Sequence, residues 1–183
     1  MNPLAASDLL DRPRAESLRI ACRLMREGRQ AIGLLPASHE VIVGPIAIEL
    51  GAALARAAGT PIAVIDASAP TTLRQDDLRP AFRTDWHGAT LAVLTPQSGR
   101  PACTKLEWLE RLIEMHRGLF AHLIVDLSAF QSRGEHTAAI DLLDGVVLVC
   151  NAGATRDVDL FRAARELPSG HNVGALLVGA GGA

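Results

Sequence analysis

Apolar positions recur along the chain in two rhythms, and the switches between them mark out its elements. Between Ala15 and Gly28, Leu18, Ala21, Cys22 and Met25 fall at i, i+3, i+4 and i+7 while Arg19, Arg23 and Arg26 lie off that stripe. This spacing predicts an amphipathic helix closed by Gly28. Residues 31–35 are a short apolar run, read as a buried strand, and Pro36 to Pro45 form a connection. Apolar residues then repeat at Ile46, Leu50, Leu54 and Ala57, a helix over 46–58 with Pro45 in its first turn and Gly59 as its stop. Pro61-Ile-Ala-Val-Ile-Asp66 is a continuous apolar strand ending in a carboxylate.

Residues 67–88 are polar and turn-rich, with Pro70, Asp76, Asp77, Pro80 and Gly88, and predict a long surface connection with one short helix. Further strands are expected at 90–94, 122–126, 145–150 and 173–178, with helices at 105–117 and 157–167. Apolar strands alternating with helices indicate an α/β protein of three layers, a mainly parallel sheet with helices on both faces. A chain of 183 residues suits one domain, 1–183, with a helical segment over 1–30 and an α/β core over 31–183.

Composition sharpens this picture. Eighteen basic against 20 acidic residues leave a charge of −2, without the basic excess of a nucleic-acid binder, so no nucleic acid is expected as partner. Cys22, Cys103 and Cys150 are far apart and show no metal-ligand spacing, so no metal is expected and a reducing compartment is. The longest apolar runs are too short to span a bilayer, and residues 1–11 lack the layout of a signal peptide. A cytoplasmic chain is expected, reaching a membrane through a partner if at all. The basic residues divide into 17 arginines and one lysine, Lys105, and there is no tyrosine.

In an open parallel sheet, ligands bind beyond the carboxyl ends of the strands. Those ends carry Leu35-Pro36, Asp66, Asp126 and Asn151. Two strand-terminal aspartates suit Mg-nucleotide chemistry, one ordering metal-bound water and the other orienting it. Aspartates also cap loops and helices at such places, and spacing alone leaves both readings open.

The order of elements and their wording resemble the cytoplasmic domain of bacterial tyrosine autokinases of capsule and exopolysaccharide export, within the MinD/ParA-like P-loop ATPases. Ala15-Glu-Ser-Leu-Arg-Ile-Ala-Cys-Arg-Leu24 is similar to the Glu-x-Phe/Tyr-Arg-x-Leu-Arg segment before their first strand. Gly59-Thr-Pro-Ile-Ala-Val-Ile-Asp-Ala67 looks like their second strand, placing Asp66 at the Walker A′ aspartate and Ser68 where a second acid is usual. Leu119-Phe-Ala-His-Leu-Ile-Val-Asp126 looks like the Walker B strand, with Leu127-Ser128 replacing Thr-Pro. Residues 142–149 and the following Ala152-Gly-Ala-Thr-Arg156 resemble a later strand and its Gly-x-Thr turn.

The resemblance breaks at the phosphate loop. In the gap-free register the Walker glycine falls on Ile42, the lysine on Val43 and the Mg-binding hydroxyl on Gly44, with Ser38, His39 and Glu40 earlier in the loop. A phosphate nest needs glycines for its backbone, a lysine for charge and a hydroxyl for the metal. Lys105 has no glycine-rich turn before it, so no Walker A motif exists in any register, and no tyrosine is present to receive a phosphate. The resemblance therefore implies a non-catalytic, pseudo-ATPase protein of exopolysaccharide biosynthesis or export. Its partner would be a membrane polysaccharide-export protein, a glycosyltransferase or another copy of itself, with no cofactor beyond weak Mg-ATP or Mg-ADP. The alternatives are a residual Mg-nucleotide switch using Asp66 and Asp126, and a MinD/ParA-like accessory of localisation.

Other residues carry double readings. Val41, Ile42 and Val43 either fold inward to fill the vacated pocket or stay exposed as an apolar patch. His39 and Glu40 form an acid/base pair or simply a polar loop. His116, and His136 beside Glu135, read as surface or half-buried histidines. Arg12, Arg14, Arg19, Arg23, Arg26 and Arg29 form a solvated basic region or a face for an acidic partner, and Trp108 anchors such a face or belongs to the core.

Overall fold

The computed structural model describes residues 15–67, 82–96 and 104–179. In chain order the elements are α1 (Ala15–Glu27), β1 (Ala31–Pro36), α2 (Gly44–Ala58), β2 (Ile62–Ile65), β3 (Phe82–His87), β4 (Leu91–Pro96), α3 (Lys105–His116), β5 (His122–Asp126), α4 (Ser128–Gln131), α5 (His136–Ile140), β6 (Gly145–Asn151), α6 (Asp157–Glu166) and β7 (Asn172–Val178). The seven strands form one sheet in the order β3-β4-β2-β5-β1-β6-β7, parallel except for β3.

Side chains alternate along each strand, so one apolar run serves two cores. Ala31, Leu35, Ile65, Leu123 and Val125 face a cluster with Trp108, Leu109 and Leu112 of α3 and Phe130 of α4. Ile32, Leu34, Val64 and Ile124 face the other cluster, with Ala21 and Leu24 of α1 and Leu50 and Leu54 of α2. The α/β three-layer expectation holds, and β1 and β5 lie buried along their whole length at its centre. Close approach of α2 depends on Gly51, where a Cβ would stand 2.8 Å from Val64 Cγ2 and 2.9 Å from Leu91 Cδ1. The helix ends on Gly59, whose φ of 66° is easily reached only without a side chain.

Two sequence expectations are corrected here. The buried stripe of α1 is Ser17, Ala21 and Leu24, with Ile20 half-buried, whereas Leu18, Cys22 and Met25 are exposed. Both stripes have helical spacing, and a polar contact selects between them: Ser17 Oγ donates to the buried Glu49 of α2 at 2.9 Å. Within 67–88, residues 82–87 are not surface connection but the strand β3, paired antiparallel with β4 through a turn at 88–90. An edge strand with one neighbour tolerates polar and charged residues such as Arg83 and Asp85, which hid it. The short helix expected in that segment lies outside the described residues for its remaining span.

The same edge explains His116, expected at the surface or half-buried but found buried. Its Nδ1 lies 2.8 Å from Leu112 O, and its ring meets Phe82 at 5.0 Å and Phe120 at 5.8 Å. No helix among the described residues is long and apolar enough to cross a membrane.

Candidate functional site

Strands β2, β5 and β1 are adjacent and parallel, so Asp66, Asp126 and the 36–43 loop emerge together at one end of the sheet. By alternation, Asp66 shares its face with Ile62 and Val64, and Asp126 shares its face with Ile124; this is the face that α2 covers. Asp126 is only 6% exposed. Its Oδ1 accepts the Ser128 N–H at 2.9 Å and the Ser128 hydroxyl at 2.6 Å, while Oδ2 is turned toward Gly44, 3.9 Å from where a Cβ there would stand. Asp66 is half-buried, and its N–H donates to Leu94 O at 3.0 Å. Ser68 lies outside the described residues.

Burial pushes the Asp126 carboxyl above its ordinary range; the Ser128 bonds and Lys105 oppose this, and the neighbouring Asp66 charge adds to it. For an acid so raised, the stability it contributes is complete below the unfolded value and is lost as pH rises through the folded one. Asp126→Asn, neutral throughout, is expected to gain on the parent across that window, with a limiting slope of about 1.4 kcal/mol per pH unit, and then to run parallel. Urea midpoints of both proteins from acid to neutral pH measure this; a constant difference would contradict it.

The 36–43 loop resolves the two readings of its valines into a mixture. Val41 and Val43 turn inward into the α1/α2 core, Val43 being 1% exposed, whereas Ile42 stands out at 76%. Neither complete plugging nor a fully exposed patch is found: the two valines are buried in the core and the isoleucine between them is exposed. The Val41 N–H donates to Ser38 O at 3.2 Å, closing a turn of the loop on itself, and α2 begins at Gly44 with no side-chain cap.

The loop separates two depressions. On one side a cavity of about 380 Å³ is lined by Val41, Val43, Ile48, Val64 and Val93, with Asp66, Asp126 and Ser128 as its polar groups. On the other lies a polar cleft of about 510 Å³, where Ser38, His39 and Glu40 meet Gln131, Arg156 and Arg162. Thus the candidate residues are divided, with Gly44, Ile42, Val43 and the two aspartates at one depression and Ser38, His39 and Glu40 at the other. His39 and Glu40 are both exposed, and Ser38 Oγ lies 3.3 Å from Thr155 Oγ1. His136 is half-buried, one of the two placements expected for it, with its Nε2 3.3 Å from Glu166 Oε2 of α6.

The residue that sequence reasoning placed but did not connect is Lys105. Thr104 and Glu107 form a reciprocal cap that fixes the start of α3, and from there Lys105 runs inward, almost fully buried. Its ammonium donates to Ala67 O and lies 5.7 Å from the Phe130 ring centre. Burial holds it below its ordinary value, assisted by Arg133 and opposed by Asp66, Glu135 and Asp126. The chain's one lysine therefore lies behind the aspartates, on the α3 side of the sheet, rather than in the loop before α2. The capping signature marks the start of the helix but gives no sign of where the side chain ends.

Strand order, one antiparallel edge and a loop-to-helix junction beside two strand-terminal carboxylates define the α/β fold of P-loop NTPases. The chain shares this fold with bacterial tyrosine kinase domains and a ParA ATPase. It superposes on the BceF tyrosine kinase domain with a TM-score of 0.64 at 16% identity, covering 89% of this chain and 74% of that one. For the kinase domain of the Escherichia coli tyrosine kinase ETK the TM-score is 0.56 at 14% identity, covering 90% and 73%. For a ParA family ATPase from Chlorobium tepidum the TM-score is 0.54 at 15% identity, covering 83% and 73%. No family model matches the chain and no curated protein matches its sequence.

Proposed function

We propose that this chain is a non-catalytic, tyrosine-kinase-like protein of bacterial exopolysaccharide biosynthesis or export. In this reading it works in the cytoplasm by contact with a membrane polysaccharide-export protein, a glycosyltransferase or a second copy of itself. The observation that carries the reading is the loop between β1 and α2. It brings two buried valines and a self-closed turn to the place where a P-loop ATPase needs open amides, a lysine and a hydroxyl. The lysine that exists is engaged on the other face, with Ala67 O. A triphosphate in the cavity would meet the Asp66 and Asp126 carboxylates, with no cation among the described lining residues. Each lost charge-assisted contact removes about 1.5–3 kcal/mol, so three shift a micromolar affinity past the millimolar range.

One observation favours a second reading, a residual Mg-nucleotide switch: Asp66 and Asp126 do share one open cavity. Titration calorimetry with Mg-ATP and Mg-ADP separates the two. No saturable heat is expected below about millimolar nucleotide. Micromolar binding that Asp66→Ala abolishes would establish the switch and overturn the scaffold reading.

A further inference from the structure

Strand β3 stands at one end of the sheet, with β4 its only neighbour among the described residues. An edge strand is a template for another strand, and charged side chains usually blunt it. Here the charges form a pattern. By alternation Phe82, Thr84 and Trp86 share the α3 face, where Phe82 meets His116 and Trp86 meets Phe120, while Arg83 and Asp85 share the opposite face. Trp86 is 54% exposed, and the Arg83 and Asp85 side chains, bonded to each other at 2.8 Å, are 67% and 46% exposed. Residues 82–86 thus run aromatic, basic, threonine, acidic, aromatic. Reversing that order keeps every class in place and exchanges only the signs of the charges, so the strand is complementary to its own antiparallel copy.

We propose that β3 pairs antiparallel with β3 of a second copy of this chain, about a two-fold axis at Thr84, joining the two sheets into one. In that register Arg83 lies opposite Asp85 of the second copy, Phe82 opposite its Trp86, and Thr84 opposite its Thr84. Opposite charges, aromatic pairs and threonine pairs are each favourable directly across an antiparallel ladder, where the Cβ atoms stand about 4.5–5.5 Å apart. Neighbouring registers are not favourable. An axis at Arg83 sets arginine against arginine, an axis at Asp85 sets aspartate against aspartate, and parallel pairing in register sets each charge beside its like. The charges that blunt the edge toward a foreign strand therefore select one register with its own copy. Five paired residues make a small interface, below the roughly 1,200 Å² of standard stable complexes, so the dimer is weak and reversible. It does not depend on loss of nucleotide binding.

Sedimentation of the whole chain from about 5 to about 500 µM tests this, with a monomer–dimer equilibrium expected at tens to hundreds of micromolar. Arg83→Asp and Asp85→Arg each set like charges opposite one another, twice over by symmetry, and each is expected to weaken the dimer about tenfold. The double variant Arg83→Asp/Asp85→Arg reverses both signs, restores the complementarity and is expected to return to within about threefold of the parent. Both side chains are exposed, and urea midpoints at low concentration check that each variant folds. A chain monomeric up to about 500 µM overturns the proposal and leaves the edge to a strand of another protein. A dimer indifferent to the single substitutions, or not restored in the double variant, associates through another face and overturns it as well. Absence of a dimer leaves the non-catalytic reading standing with a foreign partner, whereas micromolar Mg-ATP binding by a chain that dimerises removes that reading alone.

Discussion

Trp108→Ala is expected to cost about 3–5 kcal/mol, a large part of the stability of an ordinary domain. Trp108 is 0% exposed and packs with Leu109, Leu112 and Phe130 against the sheet residues Ile65, Leu123 and Val125. Removing the indole leaves a cavity between α3 and the sheet that surrounding aliphatic side chains close only in part. The indole Nε1 is buried with no hydrogen-bond partner, so Trp108→Phe removes an unsatisfied donor together with some volume and is expected to cost much less than the alanine variant. Urea unfolding monitored by circular dichroism gives both numbers. A loss of less than about 1 kcal/mol for Trp108→Ala would mean that α3 is not a structural layer, and the reading of Trp108 as an anchor for a partner would regain its ground.

The packing around Trp108 also shows why some of the fold could be read in advance. Every buried parallel strand is a run of apolar residues, and β1, β2, β5 and β6 stand where those runs predict them. Such strands are apolar on both faces because helices cover both, so no ambiguity of register hides them. The edge strand β3 carries Arg83, Thr84 and Asp85 instead, and the anchors that hold it, Phe82 on His116 and Trp86 on Phe120, are contacts across more than 30 residues of sequence. Periodicity within one segment carries no trace of such contacts. The α1 stripe was misplaced for a related reason: its selector is the Ser17–Glu49 hydrogen bond, which joins positions 32 residues apart.

Site residues follow the same division. Asp66 and Asp126 were legible because a carboxylate directly after an apolar strand must lie at the ligand-binding end of the sheet. That both face one cavity follows from alternation, but the cavity's aliphatic walls depend on Val64 and Val93, which are ordinary strand residues in sequence. The outward turn of Ile42 between two inward valines, and the inward path of Lys105, are decided by local backbone direction. A string of residue types does not contain that information.

The start of β1 offers the second large effect. Asp144→Ala is expected to cost about 2 kcal/mol, most of it where the parent carboxylate is ionised. Asp144 Oδ2 accepts the N–H groups of Gln30 at 3.0 Å and Ala31 at 2.7 Å, and Arg117 donates to the same carboxylate at 3.3 Å. In return the Asp144 N–H donates to Ala31 O at 2.8 Å, so one residue clamps the start of β1 to the chain entering β6. Alanine leaves two amides at the head of a fully buried strand without their acceptor. The side chain is about a third open to water and the Arg117 contact is long, so the figure belongs to the amide bonds rather than to the ion pair. Burial acts to raise the Asp144 carboxyl, but the Ala31 N–H, Arg117 and the Gln30 N–H outweigh it and hold the group below its ordinary range. A depressed acid contributes stability above its unfolded value and loses it as pH falls through the folded one. The difference between parent and variant should therefore be full at neutral pH and shrink in acid, the reverse of the trend at Asp126. Asp144→Asn keeps one acceptor but turns an amide donor toward donors or water, and is expected to fall between the two. A difference between parent and Asp144→Ala that stays constant into acid would place the loss in side-chain packing and not in the carboxylate clamp.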